Sequence, residues 1–198
     1  MFRSTLIAAS LSLTLNACSF ADAPPASPAP FKAEEVARFD EPWAMTFLPD
    51  GRLLVTEKQG RLKLHTLGGA TGEISGVPKV AYGGQGGFGD VVLHPKFAEN
   101  GWVYLSYAET GDDGLIGAAV ARAKLALNDA GGGQLTGLAV IWRQSPKVDG
   151  RGHFGHRIAF GPDGYLYISS GDRQHFDPAQ DMSGNLGKMV RLNDDGSA

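Results

Sequence analysis

Residues 157–168 read Arg-Ile-Ala-Phe-Gly-Pro-Asp-Gly-Tyr-Leu-Tyr-Ile. Apolar residues flank a Gly-Pro-Asp-Gly turn, in which proline presets the backbone and glycine allows a positive φ. Two short apolar runs joined by such a turn are typical of an antiparallel hairpin. The stretch therefore predicts one strand-turn-strand unit of an all-β protein.

The same unit occurs at two earlier places in the chain. Residues 42–57 hold an apolar strand, a Pro-Asp-Gly turn and a second strand; residues 60–65 add a third strand, and residues 89–107 form another copy. A small antiparallel sheet cannot bury both of its faces alone, so repeats of this size are typical of β-propeller blades. We therefore predict an all-β protein with about three blades of a propeller. An irregular β-sandwich is the alternative fold.

The composition agrees with an all-β fold and narrows the range of partners. The 28 glycines and 11 prolines are spread between short apolar runs, and 42% hydrophobic residues suffice for a packed core. The formal net charge is -3, and no basic run or basic-aromatic patch is present. The chain lacks the electrostatic footprint of a nucleic-acid-binding protein, so we expect no nucleic acid as a partner.

The N-terminus is typical of an export signal. Arg3 gives a short positive region, residues 6–15 are mostly apolar, and small residues precede a lone cysteine, Cys18. The Leu-Asn-Ala-Cys sequence at residues 15–18 resembles the lipobox of bacterial lipoproteins, in which the cysteine is lipidated. We predict a lipoprotein-type signal over residues 1–18 and an exported, periplasmic protein that is attached to the outer membrane through a lipid on Cys18.

The rest of the chain divides into a tether and a domain. Residues 19–32 are rich in proline and alanine and predict an extended tether, and residues 33–198 predict the propeller. An ordinary secretory signal cut after Ala23 is the alternative, but Pro24 would then follow the cleaved bond. The chain ends just after the strand-like residues 188–192, where another blade would begin, so we expect an incomplete propeller.

The segment before the third repeat carries titratable side chains. His153 and His156 lie beside Arg157, and Asp172 lies one strand away. Histidine titrates nearest to neutral pH, so such a group is suited to proton transfer. The alternative is that both histidines are solvated residues of a turn.

These motifs, taken together and in order, resemble the soluble quinoprotein sugar dehydrogenases. The resemblance is to the glucose/sorbosone dehydrogenase family, nearer its aldose sugar dehydrogenase branch, and runs from about Pro42 to the end. The motifs that carry it are residues 84–87 leading into 91–95, residues 153–157, Gly171-Asp172, and residues 179–181 leading to 187–192.

The resemblance implies a fold, a reaction and two cofactors. The family is a six-bladed propeller that binds pyrroloquinoline quinone (PQQ) with the help of calcium. It oxidises the anomeric C–OH of aldose sugars to lactones by hydride transfer to PQQ and passes the electrons to an acceptor, which this sequence does not name. The calcium ligands of the family lie further along, and the spacing of the carboxylates here does not fit a calcium loop, so we expect no metal site among them: Asp177, Asp181, Asp194 and Asp195.

The resemblance also implies roles for individual residues. His153 matches the general base, and Asp172 matches the carboxylate that orients it. Gln85, in a glycine-rich turn, matches the glutamine that contacts cofactor and substrate. Arg157 either orients the site or supports the hairpin. Gln174 and the neighbouring histidine lie in the loop that lines the family's cleft.

Two positions depart from the family pattern. His156 stands where the family usually has glycine, so two imidazoles could compete as the base, or the pocket could be narrower. Gly152 stands where the glucose-oxidising branch carries an acidic residue, which leaves glucose-specific recognition without that group.

Two other functions remain as alternatives to the dehydrogenase. A lipid-anchored propeller could serve as a binding scaffold, since this fold hosts many unrelated functions. A metal-dependent lactone hydrolase also occurs on propellers. The scaffold predicts that His153 is dispensable, whereas the hydrolase predicts a metal held by carboxylates at the centre of the propeller.

Overall fold

The computed structural model describes residues 31–198, which belong to two compact units, residues 1–35 and 36–198. The described part of the first unit, Phe31–Glu35, contains no helix or strand. The predicted signal, Cys18 and nearly all of the predicted tether lie outside the described residues. Among residues 31–198, no helix is long and apolar enough to cross a membrane.

Almost all regular structure in the second unit is β-strand. The strands are β1 (Pro42–Phe47), β2 (Leu53–Glu57), β3 (Arg61–His65), β4 (Thr71–Ser75), β5 (Phe88–Leu93), β6 (Trp102–Thr110), β7 (Ile116–Leu127), β8 (Gly133–Arg143), β9 (Gly155–Phe160), β10 (Leu166–Ser170) and β11 (Lys188–Leu192). One short helix, α1 (Phe97–Asn100), precedes β6, and a 3-10 turn covers Asp177–Ala179. The all-β prediction is confirmed.

The strands form three successive antiparallel meanders, β1–β4, β5–β8 and β9–β11. A short parallel pairing of Ile74 and Ser75 with Gly133 and Gln134 joins the first two into one eight-stranded sheet. The first strands β1, β5 and β9 lie side by side. This is the arrangement of propeller blades around an axis, so the prediction of an incomplete propeller of about three blades is confirmed.

The blades are held together by side chains that alternate along their strands. On β6, Val103 and Leu105 face the first blade, whereas Tyr104 and Ala108 face the third. Successive side chains of a strand point to opposite faces of its sheet, so the second blade is packed on both sides. Alanines dominate the facing positions of β7 and let neighbouring sheets approach closely. The core therefore consists of two clusters, one on each side of the second blade.

The antiparallel order of strands decides where the functional residues lie. In each meander, the loop after the second strand and the loop after the fourth emerge at the same end. Residues 76–87, 144–154 and 171–187 form such loops, and they contain Gln85, His153 and Asp172 respectively. One face of the propeller thus receives these three side chains, while the Pro-Asp-Gly turns lie at the opposite face.

The imidazole of His156 packs between the inner strands β1, β5 and β9. His156, on β9, is only 2% exposed; its ring stacks on Trp43 with the ring centroids 5.2 Å apart. Its Nδ1 lies 2.9 Å from the hydroxyl oxygen of Ser106. A Cβ placed on Gly89 would overlap this ring. The glycine on β5 therefore provides the space that the histidine on β9 occupies.

This packing gives a double-mutant test. Gly89→Ala is expected to destabilise the protein by about 1–3 kcal/mol, because the added methyl group must displace a rigid ring. In a His156→Gly background the same change should cost less, and glycine tolerates the positive φ of that position. Urea unfolding measures both costs. Gly69→Ala, which meets only Thr66 at 3.3 Å, is the control. Equal costs in the two backgrounds would contradict the assigned packing.

Candidate active site

The centre of the site is a histidine–carboxylate pair. Nδ1 of His153 lies 2.9 Å from Oδ1 of Asp172. The backbone N–H of Gln174 and the His153 imidazole hold the pKa of the Asp172 carboxyl below its usual value. An ionised carboxylate only accepts hydrogen bonds, so Nδ1 of His153 carries the proton. The other ring nitrogen, Nε2, then has a free lone pair, and the side chain is 47% exposed.

Gln85 fixes the backbone of the same histidine. Its Oε1 accepts a hydrogen bond of 2.7 Å from the N–H of His153. Its own N–H donates to the carbonyl of Arg151 at 2.8 Å, which ties the loop 83–87 to the loop before β9. Within residues 31–198 the Gln85 amide nitrogen has no hydrogen-bond partner. The structure thus brings Gln85, His153 and Asp172 together as the sequence predicts.

The loops that carry these residues are conformationally strained. Positive φ angles are unfavourable for residues other than glycine, and four of the six in the described chain lie in these loops: His153, Arg173, Gln174 and Phe176. Backbone hydrogen bonds between the loops hold them, from Gly171 to Phe154 and from Arg173 to His153. A Cβ on Gly171 would overlap the carbonyl of His153, so glycine is required next to Asp172.

Arg173, which no motif in the sequence indicates, holds the loop beneath the site. The residue is 2% exposed, and its guanidinium lies 3.9 Å from the centre of the Phe154 ring. It donates hydrogen bonds to backbone carbonyls of four residues: Ile116, Asp149, Gly150 and Gly152. Burial lowers its pKa. Because all four acceptors are backbone atoms, no pattern of side chains in the sequence indicates that Arg173 holds this loop.

Arg157 lies apart from the histidine–carboxylate pair. Its Nη1 donates to Oδ1 of Asp90 at 3.1 Å, and its guanidinium stacks on the indole of Trp43 at 4.5 Å. Asp90 is buried and also accepts the N–H of Ile158. These contacts join β9 to β5 and to β1, and the hairpin-supporting role stays a prediction. The structure shows no contact between Arg157 and His153, and the orienting role stays a prediction.

The second histidine is separated from the first by burial. Desolvation lowers the pKa of His156 to about 4, and the nearby charges of Arg157 and Arg173 act in the same direction. His156 is therefore neutral at pH 7 and enclosed in the blade wall. The competition between two imidazoles, which the sequence left open, does not arise on the exposed face.

The remaining candidate residues lie around the pair or away from it. Gln174 is exposed, and its N–H donates to Asp172 at 3.0 Å; His175 lies 3.4 Å from a carboxylate oxygen of Asp149. In the part of the chain that the structure describes, no three His, Cys, Asp or Glu side chains are close enough to hold a metal ion. The calcium site, expected outside this chain, stays a prediction.

This arrangement can perform acid–base chemistry. A carboxylate on Nδ1–H fixes the tautomer of the imidazole and stabilises its protonated form, which is what a general base requires. The fold and the site together define the class: a β-propeller protein with a histidine–carboxylate pair for proton transfer on one face. The open Nε2 marks the position of the group that would lose its proton.

Comparison with known proteins gives the family. The family model described as Glucose / Sorbosone dehydrogenase matches residues 39–198, and the chain belongs to this family. It is 41% identical over 174 residues to the aldose sugar dehydrogenase YliI of Escherichia coli (strain K12), covering 86% of this chain and 46% of that protein. The chain thus spans about half the length of the curated relatives that it matches.

Solved structures show the same likeness. The apo-form of the soluble aldose sugar dehydrogenase from Escherichia coli matches with a TM-score of 0.76 and 41% identity, over 82% of this chain and 47% of that chain. The PQQ-bound form of the aldose sugar dehydrogenase from Streptomyces coelicolor matches with a TM-score of 0.69 and 27% identity, over 82% and 48%. The resemblance noted in the sequence is confirmed.

The buried histidine predicts a pH dependence of stability. The pKa of His156 is 6.5 in an ordinary setting and about 4 in the folded protein, so the unfolded chain binds its proton first as the pH falls. The free energy of unfolding should therefore fall between these two pH values, by about 3 kcal/mol for this group. His156→Phe, which cannot titrate, should show a flatter profile in urea unfolding. Parallel profiles of the two proteins would refute the assignment.

Proposed function

We propose that the chain carries the general base of a PQQ-dependent aldose sugar dehydrogenase, with His153 as that base. The observation that carries the proposal is the 2.9 Å pair between Nδ1 of His153 and Asp172, with Nε2 left open on an exposed face. Family membership and the similarity to aldose sugar dehydrogenases support the reaction class.

Residues of this chain accept the proton that the sugar hydroxyl loses. Nε2 of His153 takes the proton of the anomeric hydroxyl as the C1–H bond of the sugar breaks, and the product is a lactone. Asp172 stabilises the imidazolium that forms. Gln85 keeps the His153 backbone in its strained conformation, so the ring stays oriented while its charge changes. When bound, PQQ supplies the acceptor of the hydride and its two electrons.

The residues around Gln85 fit a planar quinone that bears carboxylates. In the loop 83–87, Gly84 is exposed and Gly83 is partly exposed, so a flat ligand can approach this part of the backbone, and the Gln85 amide nitrogen is free to donate. Two cations border the same loop: Lys58 donates to the carbonyl of Gly84, and Arg151 donates to that of Tyr82. Such cations complement carboxylates. We infer that Gln85 and His153 would hold the quinone.

The proposal is tested by substituting the pair in the full product of the gene. With PQQ, calcium and a panel of aldoses, reduction of an artificial dye acceptor measures turnover. His153→Gln is expected to lower kcat/KM by about 10²- to 10⁴-fold, because the base is lost. Asp172→Asn should lower it on the order of 10²-fold or more, because the imidazole loses its tautomer.

A matched histidine–carboxylate pair is available as a control. His94 lies 3.3 Å from Asp194, near the opposite face, and His94→Gln should leave turnover unchanged. If the protein reduces no dye with any aldose, the dehydrogenase proposal fails. The scaffold then becomes the better function, or the lactone hydrolase if lactones are cleaved with added metal. If His153→Gln keeps full turnover, the assignment of His153 as the base fails.

We further propose that the protein is exported and attached to the outer membrane through a lipid on Cys18. The lipobox-like residues 15–18 support this location. Cys18→Ser should move the protein from the membrane fraction to the soluble fraction and abolish labelling by a fatty-acid probe. Ser19→Ala is the control and should stay in the membrane fraction. A Cys18→Ser protein that is still labelled would overturn the proposed anchor.

A further inference from the structure

Gln174 contacts the residues around the His153–Asp172 pair with both its backbone and its side chain. Its N–H donates to the same oxygen of Asp172, Oδ1, that contacts His153. Its carboxamide packs on Gly152, the residue immediately before His153. The backbone of Gln174 is thus held by Asp172, and its carboxamide lies against the residue that precedes the base in the chain.

The Gln174 carboxamide is exposed and free. Within the described residues, neither its oxygen nor its nitrogen has a hydrogen-bond partner. The backbone of Gln174 has a φ of 64°, a conformation that costs free energy for a residue with a side chain. Strain of this kind persists only where the surrounding structure enforces it, and such positions cluster at functional sites.

Gly152 provides the space that the carboxamide occupies. A Cβ on Gly152 would overlap Oε1 of Gln174 and lie 2.6 Å from its Cδ. The φ of Gly152 is not in the left-handed region, so its backbone does not itself require glycine. A side chain at Gly152 would therefore displace the Gln174 carboxamide from its present position.

We propose that Gln174 determines substrate specificity by binding the C2 hydroxyl of the aldose. The inference rests on the proposed function, in which His153 deprotonates the C1 hydroxyl. The C2 hydroxyl is next to that group on the sugar ring, as Gly152, against which the Gln174 carboxamide lies, is next to His153 in the chain. A carboxamide both donates and accepts hydrogen bonds and carries no charge, which suits a neutral hydroxyl group.

The experiment compares glucose with 2-deoxyglucose, which lacks only the C2 hydroxyl. Anaerobic calorimetry on the full gene product loaded with calcium and reduced PQQ, which cannot accept a hydride, measures the Kd of each sugar without turnover. Gln174→Gly removes the side chain and keeps the positive φ. It should weaken glucose binding by about tenfold, the effect of one lost hydrogen bond, and leave 2-deoxyglucose binding unchanged. Gln174→Asn, which keeps a shorter amide, should restore part of the loss.

Gly152→Ala tests the same contact from the other side. The new methyl group displaces the Gln174 carboxamide, so it should weaken glucose binding as Gln174→Gly does. In the Gln174→Gly background, Gly152→Ala should have no further effect, because nothing remains to be displaced. Gln134→Ala, an exposed glutamine on β8, is the matched control and should not change either Kd.

The outcomes separate this inference from the proposed function. If Gln174→Gly weakens both sugars equally, or neither, the inference is overturned while His153 can still be the base. If the selective loss occurs but no aldose is oxidised, Gln174 binds the hydroxyl and the proposed reaction fails. A wild-type protein that binds both sugars equally well, or binds neither, also overturns the inference.

Discussion

The guanidinium of Arg173 is the group on which the geometry of the site depends. A buried cation must be satisfied by polar partners, and here the partners are backbone carbonyls from the loop 149–152 and from the start of β7. One side chain thereby fixes the chain just before His153. Because Arg173 directly follows Asp172, the same residue also fixes the carboxylate that pairs with the histidine. The positions of the base and its orienting carboxylate therefore depend on the hydrogen bonds of one buried side chain.

The site is assembled from loops of three blades, and its precision comes from the contacts between these loops. Gln85 reaches across to the backbone of His153, while its own N–H binds the carbonyl of Arg151. Each loop is therefore held by the other as well as by its own strands. A side chain on a loop is normally less well positioned than one on a strand. The reciprocal hydrogen bonds and the packing at Gly171 remove that freedom without burying the reactive nitrogen.

The sequence predicted the inner strands well and the outer strands poorly. β1, β5 and β9 follow from short apolar runs beside a turn; β5, in the middle blade, is the most fully buried of the three, and β9 buries alternate residues. β4 and β8 were not predicted, since they are largely exposed, contain glycine and lack a continuous apolar pattern. Similarly, His153, Asp172 and Gln85 could be predicted from motifs, whereas Arg173 could not. Its acceptors are carbonyl oxygens, and every residue has one.

The departure from the family pattern at His156 changes the packing between the inner strands. It does not cover the exposed base, His153. An imidazole in place of glycine would normally overpack the space between inner strands. Here the missing side chain at Gly89 offsets it, and Ser106 satisfies Nδ1 of the ring. Gly152 and Gln174 are related in the same way, since one lacks the atoms that the other needs room for. A single position compared with a family pattern is therefore ambiguous. The effect of a residue at such a position depends on the neighbour that packs against it. Only the folded chain shows which residue that neighbour is.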